Sequence, residues 1–255
     1  MPYPLGALFQ LGPFFIPGLR PRHVRVFIPP EARYRDRPPA TLFLFDGQNV
    51  FDDAPSFAGG WRLHETVGKL SLRRHRRPIL VGIDHGYEDR IKELSPWPTR
   101  HGPGHADLLI GWICGELAPF LAREIGLALT PEHVAIGGSS MGGLAALHAH
   151  FTRPELFGAV LSMSPSLWLG EGRIFQDLTA RPRPLTSTIY LDAGGKESSG
   201  KMLQAATHLA DALQRRGYGP EALRFRADRR GAHNELAWRR RTPGALRFLF
   251  ANRTR

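Results

Sequence analysis

Short apolar runs alternate along the chain with longer amphipathic ones. Leu42-Phe43-Leu44-Phe45 is continuously apolar, the pattern of a strand covered on both faces. Strands are predicted at His23–Ile28, Thr41–Phe45, Ile79–Ile83, His133–Gly137, Ala159–Met163, Thr188–Asp192 and Leu223–Ala227. Helices are predicted at Trp61–Leu70, Asp107–Ile125, Met141–Phe151, Gly200–Arg216 and Asn234–Phe250. Leu203, Ala206, Leu209, Ala210 and Leu213 recur at helical spacing, and Gly217 follows as a stop signal. Strands alternating with helices imply an α/β fold, a mostly parallel sheet with helices on both faces.

The same alternation runs on both sides of the Pro-, Gly- and His-rich stretch Ser95–Gly104, which is therefore expected as a surface loop near a site rather than a linker. One domain over residues 1–255 is the expectation, with residues 1–22 unassigned because Pro and Gly interrupt the apolar pattern there. That segment has no early positive charge and no clean apolar core, so it reads as mature protein. No apolar run approaches the ~20 residues of a membrane span.

Composition changes this picture little. Hydrophobic residues make up 42% and charged residues 22%, the balance of a globular chain. The net charge of +11 raises nucleic acid as a partner. Lys stands only at 69, 92, 196 and 201, so 30 of the 34 basic residues are Arg, a skew that looks like codon bias. The runs Arg73-Arg74-His75-Arg76-Arg77 and Arg239-Arg240-Arg241 are expected on solvated faces, and no aromatic-interleaved basic platform is present, so no nucleic-acid partner is expected. The lone Cys114 sits in an apolar helical stretch as core filler, excludes an intrachain disulfide and is compatible with the cytoplasm. No HExxH or Cys/His spacing occurs, and neither metal nor cofactor is expected.

The chemistry concentrates at Gly138-Ser139-Ser140-Met141-Gly142, a G-x-S-x-G between a predicted strand and a predicted helix. That context forces Ser140 into a tight turn at the carboxyl edge of the sheet, as a nucleophile requires. Ser139 does not fit the register, because Met141 would occupy its second glycine position. The base must follow the nucleophile. His148 and His150 lie on the next helix, His208 lies mid-helix, and His233 lies in a loop after the last strand, which makes it the candidate. Backbone amides of Met141 and of Gln48, or of Gly47 in its place, are expected to hold an oxyanion. For the acid, placement beyond a strand end leaves Asp192 and Glu197; the longer side chain on the outgoing loop favours Glu197. Arg90 and Glu93 are expected to form a structural ion pair, and Trp61, Trp97 and Trp168 are divided between core and pocket.

These motifs resemble the esterase family of α/β-hydrolases that includes esterase D, enterochelin-type siderophore esterases and mycolyltransferases. The resemblance rests on Leu44 through Phe51, Val81-Gly82-Ile83-Asp84, Arg90 through Pro96, and Gly137 through Gly143. It continues in Ser164-Pro165-Ser166-Leu167-Trp168, Gly195-Lys196-Glu197, and His233-Asn234-Glu235 with Trp238 and Arg241. It spans roughly His23 to Phe250 and implies the α/β-hydrolase fold, carboxylic ester hydrolysis through an acyl-enzyme, Glu197 as acid, and the Gln48 amide as oxyanion donor. Asn49 stands where some relatives carry a charged sugar-binding residue, a departure from that sugar-binding pattern; Asn49 and Trp168, the latter as an aromatic wall after a strand end, are the candidate substrate contacts. Acyl transfer to an alcohol or sugar and a non-catalytic binding protein are the competing readings.

Overall fold

The computed structural model describes residues 6–30, 38–53, 59–70 and 77–250. It contains an eight-stranded sheet: β1 (Ala7–Phe14), β2 (Arg22–Ile28), β3 (Thr41–Phe45), β4 (Ile79–Ile83), β5 (Val134–Ser139), β6 (Ala159–Met163), β7 (Thr188–Gly194) and β8 (Leu223–Asp228). The spatial order is β1-β2-β4-β3-β5-β6-β7-β8. From β4 across to β8 every pairing is parallel, while β2 pairs antiparallel with β4 and with β1.

The helices are α1 (Gly47–Phe51), α2 (Leu63–Lys69), the short α3 (Arg90–Glu93), α4 (Ala106–Trp112), α5 (Ala118–Ile125), α6 (Met141–Thr152), α7 (Arg173–Ala180), α8 (Lys201–Arg215) and α9 (Glu235–Phe250). A π-turn at Ile113–Leu117 joins α4 to α5. All of β3 is buried, and its side chains divide by parity. Phe43 and Phe45 join the core that includes α4, α5, α6 and α8, whereas Leu42 and Leu44 join the opposite core with α2 and α9. This is the α/β-hydrolase architecture. Among the described residues no helix is long and apolar enough to cross a membrane.

Three expectations need correction. The N-terminal segment left unassigned holds a strand: Ala7–Phe14 forms an edge strand on β2, with a register shift between Leu11 and Phe14 around the Gly12-Pro13 interruption that hid the pattern. Arg90 and Glu93 have other partners. Glu93 takes a two-pronged pair from Arg22 at 2.7 and 3.1 Å, and Arg90 turns to Asp46. Arg241 is not on a solvated face; it is fully buried, because the inward side of α9 carries it beneath the sheet edge among carboxylates. Of the basic run at 73–77, only Arg77 lies within the described residues.

The contact that positions the site is the approach of β5 to α6. A Cβ at Gly138 would lie 2.6 Å from the carbonyl carbon of Gly142 and 2.7 Å from its oxygen. Only glycine allows the two backbones so close. Gly138→Ala should therefore destabilise the fold by about 1–3 kcal/mol, a fall in Tm of roughly 2–12 °C for a chain of this size. Gly111→Ala, on α4 with nothing within 4 Å of the added carbon, is the control and should leave Tm unchanged or raise it. Thermal melting by circular dichroism checks both; equal Tm values for the two variants would contradict the close approach.

Candidate active site

Five neighbouring parallel strands, β3, β5, β6, β7 and β8, end on one edge of the sheet, and the loops beyond their carboxyl ends converge there. Ser140 follows β5 with φ 57° and ψ −119°, a conformation rarely adopted by an L-residue. The surroundings hold it: its N–H donates to the Met163 carbonyl at 2.9 Å, and its carbonyl accepts from Ser166 at 3.0 Å and Leu144 at 3.2 Å. The hydroxyl is thereby pushed out of the sheet edge.

His233 follows β8, and its Nε2 lies 2.9 Å from Ser140 Oγ. Its ring stands edge-on against Trp238, with centroids 5.1 Å apart. The next residue, Asn234, caps α9 by accepting the Ala237 N–H at 2.9 Å, which ties the histidine loop to the helix start. His233 Nδ1 faces Glu197 Oε2 at 3.2 Å.

Glu197 is 1% exposed. Its Oε1 accepts the Gly194 N–H at 2.9 Å and the Ser164 hydroxyl at 2.7 Å. Ser164 Oγ in turn accepts from Trp238 Nε1 and from Arg241 Nη2, each at 3.0 Å. A hydroxyl accepting twice has only its proton left to give, so Ser164 donates to Glu197.

Asp192, the other acid weighed from sequence, lies elsewhere. It is wholly buried, accepts the Ser164 N–H at 3.2 Å through Oδ1, and places Oδ2 3.0 Å from Arg241 Nε. Burial pushes its carboxyl up, against the pull of Arg241. Its contacts run to the support of the site rather than to His233.

The turn after β3 supplies the second wall. Asp46 adopts the left-handed region at φ 60° and receives a two-pronged pair from Arg90 at 2.6 and 2.7 Å. Gln48 spends its side chain on the loop after β4, accepting the His85 N–H at 3.0 Å and donating to the His85 carbonyl at 3.4 Å. Its backbone N–H, like that of Met141, belongs to a first helical turn, where amides lack an intrahelical acceptor. A Cβ on Gly142 would meet Asp46 Oδ2 at 3.1 Å and Phe45 Cβ at 3.2 Å, so the two turns lie against each other.

Trp168 is 67% exposed at the rim. With Trp97, Ile91, Arg100, His101 and Arg173 it lines a depression of about 610 Å³. Ser140 does not line it; along the chain, Trp168 stands two residues beyond Ser166 and Ile91 one beyond Arg90. Trp97 donates Nε1–H to Asp177 at 3.2 Å, and the expected surface loop Ser95–Gly104 supplies one wall. Trp61 is core, donating to Thr242 Oγ1 at 2.7 Å. Asn49 buries its Oδ1 without a hydrogen-bond partner among the described residues and lines neither depression beside Trp168.

Of the histidines weighed against His233, two have structural partners. His150 is fully buried with Nδ1 on the Phe157 carbonyl and Nε2 on Ser187 Oγ, both at 2.7 Å. His148 meets Asp107 at 2.8 Å, and His208 is exposed on α8. Cys114 is half-buried in the π-turn, where burial pushes its thiol up to about 11. Sequence reading assigned no role to Ser166, whose Oγ lies 3.2 Å from Ser140 Oγ, nor to the Ser164–Trp238–Arg241 frame around Glu197. Their only signal was membership of the motifs after β6 and β8.

A hydroxyl beside an imidazole beside a buried carboxylate, with two helix-start amides alongside, can deprotonate an alcohol and stabilise a tetrahedral oxyanion. Comparison with known proteins agrees with such chemistry. The family model described as "Putative esterase" matches residues 19–249. An uncharacterized protein, YbbA of Bacillus subtilis strain 168, is 20% identical over 90% of this chain and 92% of its own length. A siderophore enterobactin esterase of Emericella nidulans is 36% identical over 33% of this chain, a stretch that spans only 27% of that relative. The crystal structure of the BES protein from Bacillus cereus superposes with a TM-score of 0.75 at 19% identity, covering 98% of this chain and 96% of the other.

The geometry separates the two acids experimentally. Glu197→Gln should cut kcat/KM by well over tenfold (~1.4 kcal/mol). Asp192→Asn should chiefly destabilise the fold, on the order of 3 kcal/mol, by unpairing Arg241. Kinetics and urea melts on both variants decide; a crippled Asn variant beside a Gln variant within about tenfold of wild type would reverse the assignment.

Proposed function

The chain belongs to the esterase family matched over residues 19–249 and is a carboxylic ester hydrolase; from that premise we propose that it is a serine hydrolase working through Ser140, His233 and Glu197. The observation that carries this reading is the continuous relay from Ser140 Oγ through His233 to Glu197, at 2.9 and 3.2 Å. His233 takes the Ser140 proton as the oxygen attacks the ester carbonyl. The amides of Met141 and Gln48 hold the resulting oxyanion, each worth roughly 3 kcal/mol. Collapse expels the alcohol, which leaves with the proton from His233. Water, activated by the same imidazole, then releases the acid from Ser140. Glu197 orients the ring and stabilises its charged form. None of these steps calls on a cofactor.

The substrate we infer is a compact ester, short-chain or aromatic. The depression beside the site has two indole walls, Trp97 and Trp168, suited to a flat group. Arg100 and Arg173 line it beside a single carboxylate, Glu171, and this positive balance favours an acidic substituent. The Emericella nidulans relative makes a siderophore trilactone a reasonable member of the substrate panel. A lone cysteine suits the reducing cytoplasm, the compartment we assign.

Ser140→Ala should abolish hydrolysis while leaving Tm intact, and a fluorophosphonate should label Ser140 in the wild type. His233→Ala should lose several orders of magnitude in kcat/KM, and His208→Ala should stay within about twofold. An active Ser140→Ala variant, or a label at Ser139, would remove the basis of the proposal. Across p-nitrophenyl and aryl esters, efficiency should peak at short or aromatic acyl groups; a steady rise beyond about ten carbons would contradict the compact pocket.

A further inference from the structure

Resting on Ser140 as nucleophile, we propose that Ser166 is a further catalytic residue, whose hydroxyl donates a hydrogen bond to the attacking oxygen of Ser140. Ser166 Oγ lies 3.2 Å from Ser140 Oγ and is 3% exposed. The loop after β6 fixes it there. Ser164 takes the left-handed region at φ 46°, and its N–H donates to the Asp192 carbonyl at 2.9 Å. The Ser166 N–H donates to the Ser140 carbonyl at 3.0 Å, and its own carbonyl accepts from Leu169 at 3.1 Å. The two serines are thus joined through backbone and side chain together.

Proton counting sets the direction of the bond. The Glu197 carboxylate only accepts, so His233 turns its Nδ1–H towards it at 3.2 Å. The neutral imidazole then offers a bare Nε2, which takes the single Ser140 proton at 2.9 Å. With that proton committed, Ser140 Oγ meets Ser166 only as an acceptor. Ser166 Oγ has no other hydrogen-bond partner among the described residues, so its proton points at Ser140.

The bond matters most where the Ser140 oxygen carries most charge. In acylation, the Oγ–H bond breaks, the proton passes to His233, and the Oγ electron pair forms the bond to the acyl carbon. In deacylation, water gives its proton to His233 and attacks. The acyl C–Oγ bond then breaks, and the returning electron pair on Oγ takes the proton back. Oγ is electron-rich in both transition states and a poor, ester-type acceptor in the acyl-enzyme between them. A donor at Ser166 therefore binds the transition states more strongly than the ground states, which is the condition for acceleration. Its position beside Oγ also separates it from the amides of Met141 and Gln48, which face the carbonyl oxygen instead.

Ser166→Ala removes the donor and one buried oxygen. The expected result is a fall of roughly tenfold or more in both kcat/KM for a p-nitrophenyl ester and the rate of fluorophosphonate labelling of Ser140. The pH midpoint of kcat/KM, Tm and KM should stay in place, because the His233–Glu197 pair and the fold are untouched. Ser166→Thr keeps the hydroxyl and should recover most of the rate. Rates within twofold of wild type in Ser166→Ala would overturn the proposal. So would an equal loss in both variants, or a loss accompanied by a shifted midpoint or a Tm lowered by several degrees, since those mark a packing role. Wild-type protein that takes no label at Ser140 would instead refute the nucleophile assignment itself, an outcome distinct from any behaviour of the Ser166 variants.

Discussion

A carboxylate almost without exposure must be neutralised where it lies, and Glu197 sets that condition for the whole sheet edge. Its neighbours come from separate parts of the chain. Gly194 arrives at the end of β7, Ser164 after β6, His233 after β8, and Arg241 from the second turn of α9. Arg241 is itself fully buried and must be balanced in turn, which brings Asp192 at 3.0 Å and Asp228 at 3.6 Å into the same cluster. One buried guanidinium thereby shares three carboxylates. The cluster is worth little as a gain in stability, since desolvation offsets attraction, but losing any partner leaves charge uncompensated. It therefore fixes the relative positions of three strand ends.

That frame is joined to a second one built from close backbone packing. Gly138 and Gly142 let β5 and α6 approach closely enough to hold Ser140 in its strained conformation. Gly142 also admits the Asp46 turn, which Arg90 grips from outside and Gln48 ties to His85. The two frames meet at 2.9 Å, between Ser140 Oγ and His233 Nε2. Ser166 adds a third tie, running from the β6 loop back to both the backbone and the hydroxyl of Ser140. The strain at Ser140 is held by the hydrogen bonds of its own backbone, the N–H to the Met163 carbonyl and the carbonyl from the Ser166 and Leu144 amides.

Much of the architecture was legible before any coordinates. The strands β2 to β8 and the five longer helical segments fall within two residues of where hydrophobic periodicity puts them, because a sheet covered on both faces demands apolar runs. Ser140 was readable from its immediate neighbours, since the turn it needs is a local steric requirement. The placement of His233 beside Ser140 agrees with the expectation from chain order and the scarcity of later histidines. β1 was missed because Gly12 and Pro13 break the alternation in a strand whose register shifts at that point.

What the sequence determined by itself was whatever depends on near neighbours along the chain: periodicity, the glycine-flanked turn at Ser140, and the helix starts that present free amides. Asp192 and Glu197 remained alternatives because they stand five residues apart at the end of one strand, and composition says nothing of which faces His233. Only the packing of α9 across the strand ends decided that Arg241 takes Asp192 while Glu197 keeps an oxygen for His233. The same holds for Arg90 with Asp46, Glu93 with Arg22, and Ser166 with Ser140. Each of these pairs joins residues 26 to 71 positions apart, and a partner chosen across such a separation is fixed by strand order and burial, which no local pattern encodes.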